Sequence, residues 1–310
     1  MMQQTRIETG TRYWWAFLER WPTVQDLAAA DEDEVLKAWQ GLGYYSRARN
    51  LLKAAQLVVS DHGGEFPRTA AGLNKLPGVG PYTAAAISSI CFGEAVAAVD
   101  GNVIRVVSRL FDIDMPMDAP AGKRAIQAAA EALVPVAQVG DHNQGMMEIG
   151  ALICKPKNPL CDKCPVRLHC ASRAAGTAEA RPVKQGKMKV KEVDMPLVVL
   201  TDGANVAMVQ RPRPGIWAGL WTFPLAADVP AGLGRPNGPA APAFTHILTH
   251  RRLNLSFELR GWSGHAGDDW PGRGDEWRWV SWSEAEALAM PRAMEKIWSD
   301  AVKSASQVYI

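Results

Sequence analysis

LPGVGPYTAAAI, residues 76–87, decides how the first half of the chain is read. Gly78 and Gly80 frame a short loop, Pro81 suits the first turn of a helix, and an alanine-rich apolar helix follows. Glycines at these places permit left-handed backbone and close approach of a second backbone. The first amides of a helix lack intrahelical acceptors, so such a loop offers an anion site that fits one nucleic-acid phosphate. A lone G-x-G before a helix is also a common turn, and the stretch needs support from its neighbours.

That support lies on both sides. DEDEVLKAWQGLGYYSRARNLLKAAQLVV (31–59), DGNVIRVVSRLF (100–111) and KRAIQAAAEALV (123–134) carry apolar residues at three-and-four spacing, the helical period. Gly63-Gly64, Pro77-Gly78, Pro116 and Pro120 punctuate them, so residues 1–175 are predicted to be all-helical. The segment 176–195 is polar and basic and reads as an interdomain linker. Strand signals follow. LVVL (197–200) and VAMVQ (206–210) flank TDGAN as a hairpin, and LNLSFEL (253–259) and EWRWVSW (276–282) alternate in the strand period. PRAMEKIW (291–298) is predicted as a short closing helix and 226–243 as a surface loop, which makes 196–310 an α+β domain.

The length of 310 residues suits about two domains, and 47% hydrophobic with 21% charged residues suits a sizeable core. No apolar run reaches membrane-span length and no leader is visible, so a soluble cytoplasmic monomer without a membrane partner is expected. Net charge is +2, with acids and bases balanced in each half and the excess in the segment joining them. A nucleic-acid partner would therefore be held by local patches and backbone amides.

Four of five cysteines crowd into CKPKNPLCDKCPVRLHC (154–170), spaced C-x6-C-x2-C-x5-C, while Cys91 stands alone. This is no disulfide framework. Cys154, Cys161, Cys164 and Cys170 can ligate a [4Fe–4S] cluster or zinc. Zinc sites more often use two C-x2-C knuckles, and only one is present. Pro156 and Pro159 stiffen the first loop, and Lys155 and Lys157 are either phosphate contacts or solvated lysines. In VDGNVIRVVSRL (99–110), Asp100 sits just before a helix as an N-cap, which would also fix its carboxylate rigidly.

LPGVGPYT, VDGNVIRVVSRL and the cysteine run, in this order, resemble the helix-hairpin-helix DNA glycosylases with an iron–sulfur cluster. MQQTRIET (2–9), GLGYYSRARNL (41–51) and NQGMMEIGALIC (143–154) sharpen the resemblance to the adenine DNA glycosylases of the MutY family, across nearly all of 1–175. It implies a [4Fe–4S] cluster that is structural and assists DNA binding. It implies removal, in base excision repair, of adenine mispaired with 8-oxoguanine or guanine, after the nucleotide is flipped from the duplex. Asp100 matches the family's aspartate that stabilises the sugar cation, and Asn102 a position that orders the site. Tyr82 stands where strand-cleaving relatives carry a Schiff-base lysine, so a monofunctional glycosylase is implied. Gln3, Gln4 and Tyr44 match positions that probe or wedge the duplex, although Tyr44 read alone is a packed aromatic.

QRPRPGIWAGLWTFP (210–224) resembles the family's Nudix-like C-terminal domain, which reads the 8-oxoguanine strand through an F-[ST]-H loop. Thr249 and His250 fit that loop, while Leu248 replaces its aromatic residue. No R-E-x-x-E-E run occurs in 196–310, so Nudix hydrolysis is not expected. The resemblance also places a proton-donating glutamate shortly before M-x-Q-Q-T. Aligned on MMQQT it falls ahead of Met1, and Glu8 would lie roughly 13 Å further along one helix. The chain is accordingly expected to be a truncated or misassigned product lacking that acid, a loss of ~10²–10⁴-fold or more. A non-catalytic DNA-lesion binder and a thymine glycosylase acting on G·T mispairs are the competing readings.

Overall fold

The computed structural model describes residues 1, 5, 7–186, 190–238, 241–248, 250–262 and 276–308. Its first elements are helices: α1 (Ile7–Arg20), α2 (Val24–Ala28), α3 (Glu32–Ala38), α4 (Ser46–His62), α5 (Ala70–Leu73), α6 (Pro81–Phe92), α7 (Gly101–Leu110), α8 (Pro120–Glu131), α9 (Val139–Glu148) and α10 (Ala171–Ala174). A π-helical turn, Ile149–Ile153, continues α9. Strands β1 (Lys191–Thr201), β2 (Asn205–Gln210), β3 (Trp221–Thr222), β4 (Arg235–Pro236), β5 (Ala241–Leu248), β6 (Arg251–Gly261) and β7 (Trp277–Ser281) follow, then α11 (Trp282–Ala287) and α12 (Arg292–Val308). Among the described residues no helix is long and apolar enough to cross a membrane.

The chain divides into two compact units, 53–187 and a discontinuous one of 1–52 with 188–310. In the first unit, α7 buries Val103 and Val107 against Ile126 and Ala130 of α8, with Met146 and Met147 of α9 alongside. The segment leading into α7 is held by a buried amide. Asn143 Nδ2 donates to Ser89 Oγ and to the Val96 carbonyl (both 2.9 Å), and its Oδ1 accepts from Ala98 N (3.0 Å). A fully bonded buried amide of this kind fixes backbone that apolar contacts alone would leave free to slide.

In the second unit, a mixed sheet runs β3-β2-β1-β6-β4, with β7 on β2 and β5 on β6. β1 and β6 are parallel from Lys191↔Arg251 to Thr201↔Gly261. Met195, Leu197 and Val199 alternate on the face that meets Met294 and Ile297 of α12. The N-terminal helices build their own cluster from Phe17, Trp21, Val35, Leu36 and Trp39, and Leu220 and Ala289 join it.

Sequence spacing places the domain boundary at 176–195, and the structure draws it differently. Residues 1–52 gather with the sheet because their polar groups find partners there. Lys37 Nζ donates to the carbonyls of Glu286 (2.6 Å) and Leu288 (3.2 Å), Tyr45 Oη to that of Met290 (3.1 Å), and Arg213 pairs with Glu32. The predicted linker is largely structured. Met117 N donates to Val183 O, the Asp118 carboxylate accepts from Gln185 N and Gly186 N, and β1 begins at Lys191. The predicted loop 226–243 contains β4 and the start of β5, and the closing helix extends to Val308.

Candidate active site and nucleic-acid contacts

Asp100 is the N-cap of α7, as its position before the helix predicts. Its Oδ1 accepts from Asn102 N (2.9 Å) and Val103 N (2.8 Å), and its Oδ2 accepts from Asn102 Nδ2 (2.9 Å). The carboxylate is therefore oriented by three donors at the positive end of a helix, where negative charge is favoured. Asn102 is oriented in turn. Arg105 Nη2 donates to Asn102 Oδ1 (2.9 Å) and to Gly150 O (2.5 Å), and Arg105 Nε donates to Cys154 O (2.6 Å). Gly150 permits this approach, because a Cβ there would stand 2.5 Å from the Asn102 Cβ. Burial and, secondarily, the Asp100 charge push the Tyr82 phenol above its ordinary range, so Tyr82 and Asp100 share one electrostatic environment. Tyr82 Oη donates to Met147 Sδ at 3.3 Å. The structure thus joins Asp100 and Asn102 by direct hydrogen bonds and sets Tyr82 against Met147 of α9.

Gly78 adopts φ 76°, which a side chain would resist, and turns the chain into α6. Gly80 differs from the expectation. It is the N-cap at φ −83°, and a Cβ there would meet nothing within 4 Å, so neither left-handed backbone nor close packing requires glycine. What remains is a helix entry with Pro81 in its first turn and no side-chain cap, the form expected of a phosphate contact.

Cys154, Cys161, Cys164 and Cys170 line one small cavity together with Arg109 and Arg167. Burial first, then the neighbouring thiols of Cys154 and Cys170, raise the Cys161 thiol above its ordinary value. Among the described residues, no group of three or more His, Cys, Asp or Glu is gathered to hold a metal ion. The buried Arg109 organises the loop. It donates to Lys155 O (2.7 Å), Pro156 O (3.2 Å), Arg181 O (3.2 Å) and Cys154 Sγ (3.3 Å). The Arg109 donor to Cys154 Sγ, in a cavity lined by four cysteines and by arginines, suits the negative charge of an iron–sulfur group, while the four thiols are not drawn together as ligands. Lys155 and Lys157 are exposed, as is Cys91.

The other predicted contacts lie in the sheet-bearing unit. Tyr44 is 49% exposed with φ 48°, and the Arg47 guanidinium sits 5.7 Å from its ring. The packed-aromatic alternative therefore does not hold for Tyr44. His250 is an exposed turn residue whose carbonyl accepts from Lys191 N (3.0 Å). Leu248 ends β5 and packs against the sheet's core. Glu8 is exposed in the first turn of α1. Gln3, Gln4 and Thr249 lie outside the described residues. Arg105 and Arg109 are not legible from periodicity; the available signal is two arginines four apart on a helix otherwise rich in Val and Ile, in a chain that also carries a cysteine run.

The sequence pattern of the HhH-GPD superfamily of base excision DNA repair proteins matches residues 1–135, and that of the NUDIX domain matches 196–300. The adenine DNA glycosylase of Homo sapiens is 34% identical over 96% of this chain and 66% of its own length. That of Rattus norvegicus is 33% identical over 96% of this chain and 69% of its own length. The chain thus spans about two thirds of these relatives. A solved structure of a non-covalent endonuclease III–DNA complex is 26% identical, covers 57% of this chain and 81% of that one, and superposes with a TM-score of 0.49.

Proposed function

The chain belongs to the adenine DNA glycosylase family of helix-hairpin-helix base excision repair proteins, and from that premise we propose that it hydrolyses the N-glycosidic bond of adenine mispaired with 8-oxoguanine or guanine in duplex DNA. The observation that carries the reading is the fixed carboxylate of Asp100, with its three donors and its place at the start of α7. Departure of a base leaves positive charge on the deoxyribose. A carboxylate held in advance stabilises that charge without reorganising as it forms. Asn102 keeps Oδ2 in place, and Arg105 keeps Asn102 in place.

Tyr82 supports removal of the base without strand cleavage, since a phenol cannot form the imine that a lysine would. The uncapped entry to α6 contacts one phosphate of the damaged strand through backbone amides. Tyr44 wedges the stack, Gln3 and Gln4 probe it, and Thr249 and His250 read the opposite strand. Cys154, Cys161, Cys164 and Cys170 hold a [4Fe–4S] cluster, which when bound cross-links their loop and adds no step to base removal. Arg109, which donates to Cys154 Sγ, would offset the negative charge of a bound cluster.

The test is single-turnover incubation with a duplex carrying adenine opposite 8-oxoguanine, read for free adenine and, separately, for strand breaks and borohydride-trapped adducts. Adenine release without either supports the reading; a trapped covalent adduct contradicts it. The purified protein should be brown, with iron in the ratio a [4Fe–4S] cluster requires, and a colourless zinc protein would contradict the cluster assignment.

A further inference from the structure

Residues 93–99, which carry the chain from α6 to Asp100, form neither helix nor strand. Such a segment has no ladder to place it, so its course is set by whatever bonds its backbone. Its first half is tied to the hairpin helices. Glu94 N donates to Ser88 O (3.1 Å) on α6, and the Glu94 carboxylate accepts from Ala70 N (2.6 Å) at the start of α5. Its second half is tied to α9 through the Asn143 amide, which takes the Val96 carbonyl and the Ala98 N–H, two residues short of Asp100. Ala97 and Ala98 are buried and Val99 packs on the α7 cluster, but apolar contacts carry no direction and hydrogen bonds do.

The same amide reaches α6. Its Nδ2 also donates to Ser89 Oγ, and α9 crosses α6 closely there: a Cβ on Gly140 would stand 3.0 Å from Ile90 Cα and 3.2 Å from Ser89 O. One turn further along α9, Met147 accepts from Tyr82 Oη in the first turn of α6. Asn143 is 3% exposed, so its bonds form out of water, where an unmade one is costly. The uncapped entry of α6 and the Asp100 carboxylate address neighbouring parts of one DNA strand, a phosphate and a sugar joined by covalent bonds. Their separation on the protein must match, and a misplacement of about 1 Å costs on the order of 10²-fold in rate. We propose that Asn143 is the positioning residue that sets this separation, by holding the segment before Asp100 at a fixed place against the hairpin helix. The inference rests on the glycosylase reading above and adds to it a residue that lies outside the reacting groups.

The probes are duplexes with a protonated aza-sugar or a neutral abasic analogue in place of the adenosine, opposite 8-oxoguanine. Neither reacts, and the ratio of the two affinities reads how well Asp100 meets a positive sugar. The parent chain is compared with Asn143→Ala and with Val58→Ala, which truncates a fully buried residue of α4 and cuts none of these bonds, and thermal unfolding checks that each is folded. Asn143→Ala should lose at least about fivefold of the preference for the cationic duplex, while its affinity for the neutral duplex stays within about twofold of the parent's. Val58→Ala should keep the preference although it too lowers the melting temperature. Should Asn143→Ala not fold, Asn143→Ser takes its place with the same expected loss. An Asn143 variant with the parent's preference, or a Val58→Ala protein that loses as much of it, would overturn the proposal. A parent chain without any preference would remove the Asp100 reading, and the proposal with it.

Discussion

At the start of α7 each oxygen of Asp100 is engaged, and its partner Asn102 is engaged in turn by Arg105. A cavity beside Tyr44 is lined instead by aromatic residues and arginines around about 590 Å³ of open space. The first region spends its hydrogen bonds inward, on fixing one charge. In the second, part of that chemistry is committed to the fold, since Arg49 donates to the Ala218 carbonyl and Trp217 packs against both apolar clusters. Stabilising a cation that forms during reaction requires dipoles set beforehand.

The largest effect separates charge from capping. Asn caps helices as well as Asp does but loses the second acceptor that faces Asn102 Nδ2, so Asp100→Asn should cost about 1 kcal/mol of stability while slowing adenine release by about 10²–10³-fold. Equal single-turnover rates would show that Asp100 is a cap and nothing more. Next comes the arginine beneath the cysteine loop. Arg109→Ala removes donors from three carbonyls and a thiol, and urea denaturation should show a loss of about 3 kcal/mol. A loss within error would mean that the loop is held by other means. Gly150→Ala sets a methyl against Asn102, and thermal unfolding should register about 1–3 kcal/mol of overpacking.

The smallest effect belongs to the sheet-bearing unit. Burial pushes the Tyr45 phenol up to about 12. A folded pKa above the unfolded value means the folded state keeps its proton longer. The stability it contributes is therefore fully present below the ordinary value of 10.0 and is lost as pH rises toward about 12. Tyr45→Phe should cost about 1 kcal/mol near neutrality, from the lost bond to Met290 O, and should flatten the alkaline limb of a stability–pH curve. An unchanged limb would assign it to another group.

How much of this was legible in the sequence follows the range of the interactions. Asp100 and the α6 entry are local features, settled by residues within one helical turn, and turn and capping chemistry revealed both. The cysteine run is local too. Arg109 is different. Its burial makes sense only against carbonyls some forty-five residues away, which no window along the chain contains. The gathering of 1–52 with the sheet was invisible for the same reason, since Lys37 finds its acceptors 249 residues downstream. Trp217 was hidden differently. Its stretch, 210–224, carries the Nudix-like resemblance, and only the structure shows its left-handed backbone and the His246 ring 5.9 Å away.

The central claim is that Asp100 waits for a positive sugar. It is tested most directly by binding, with duplexes carrying a protonated aza-sugar or a neutral abasic analogue opposite 8-oxoguanine. The parent chain should prefer the cationic duplex, and Asp100→Asn should lose at least about tenfold of that preference while binding the neutral duplex as before. An equal preference in both proteins would contradict the account.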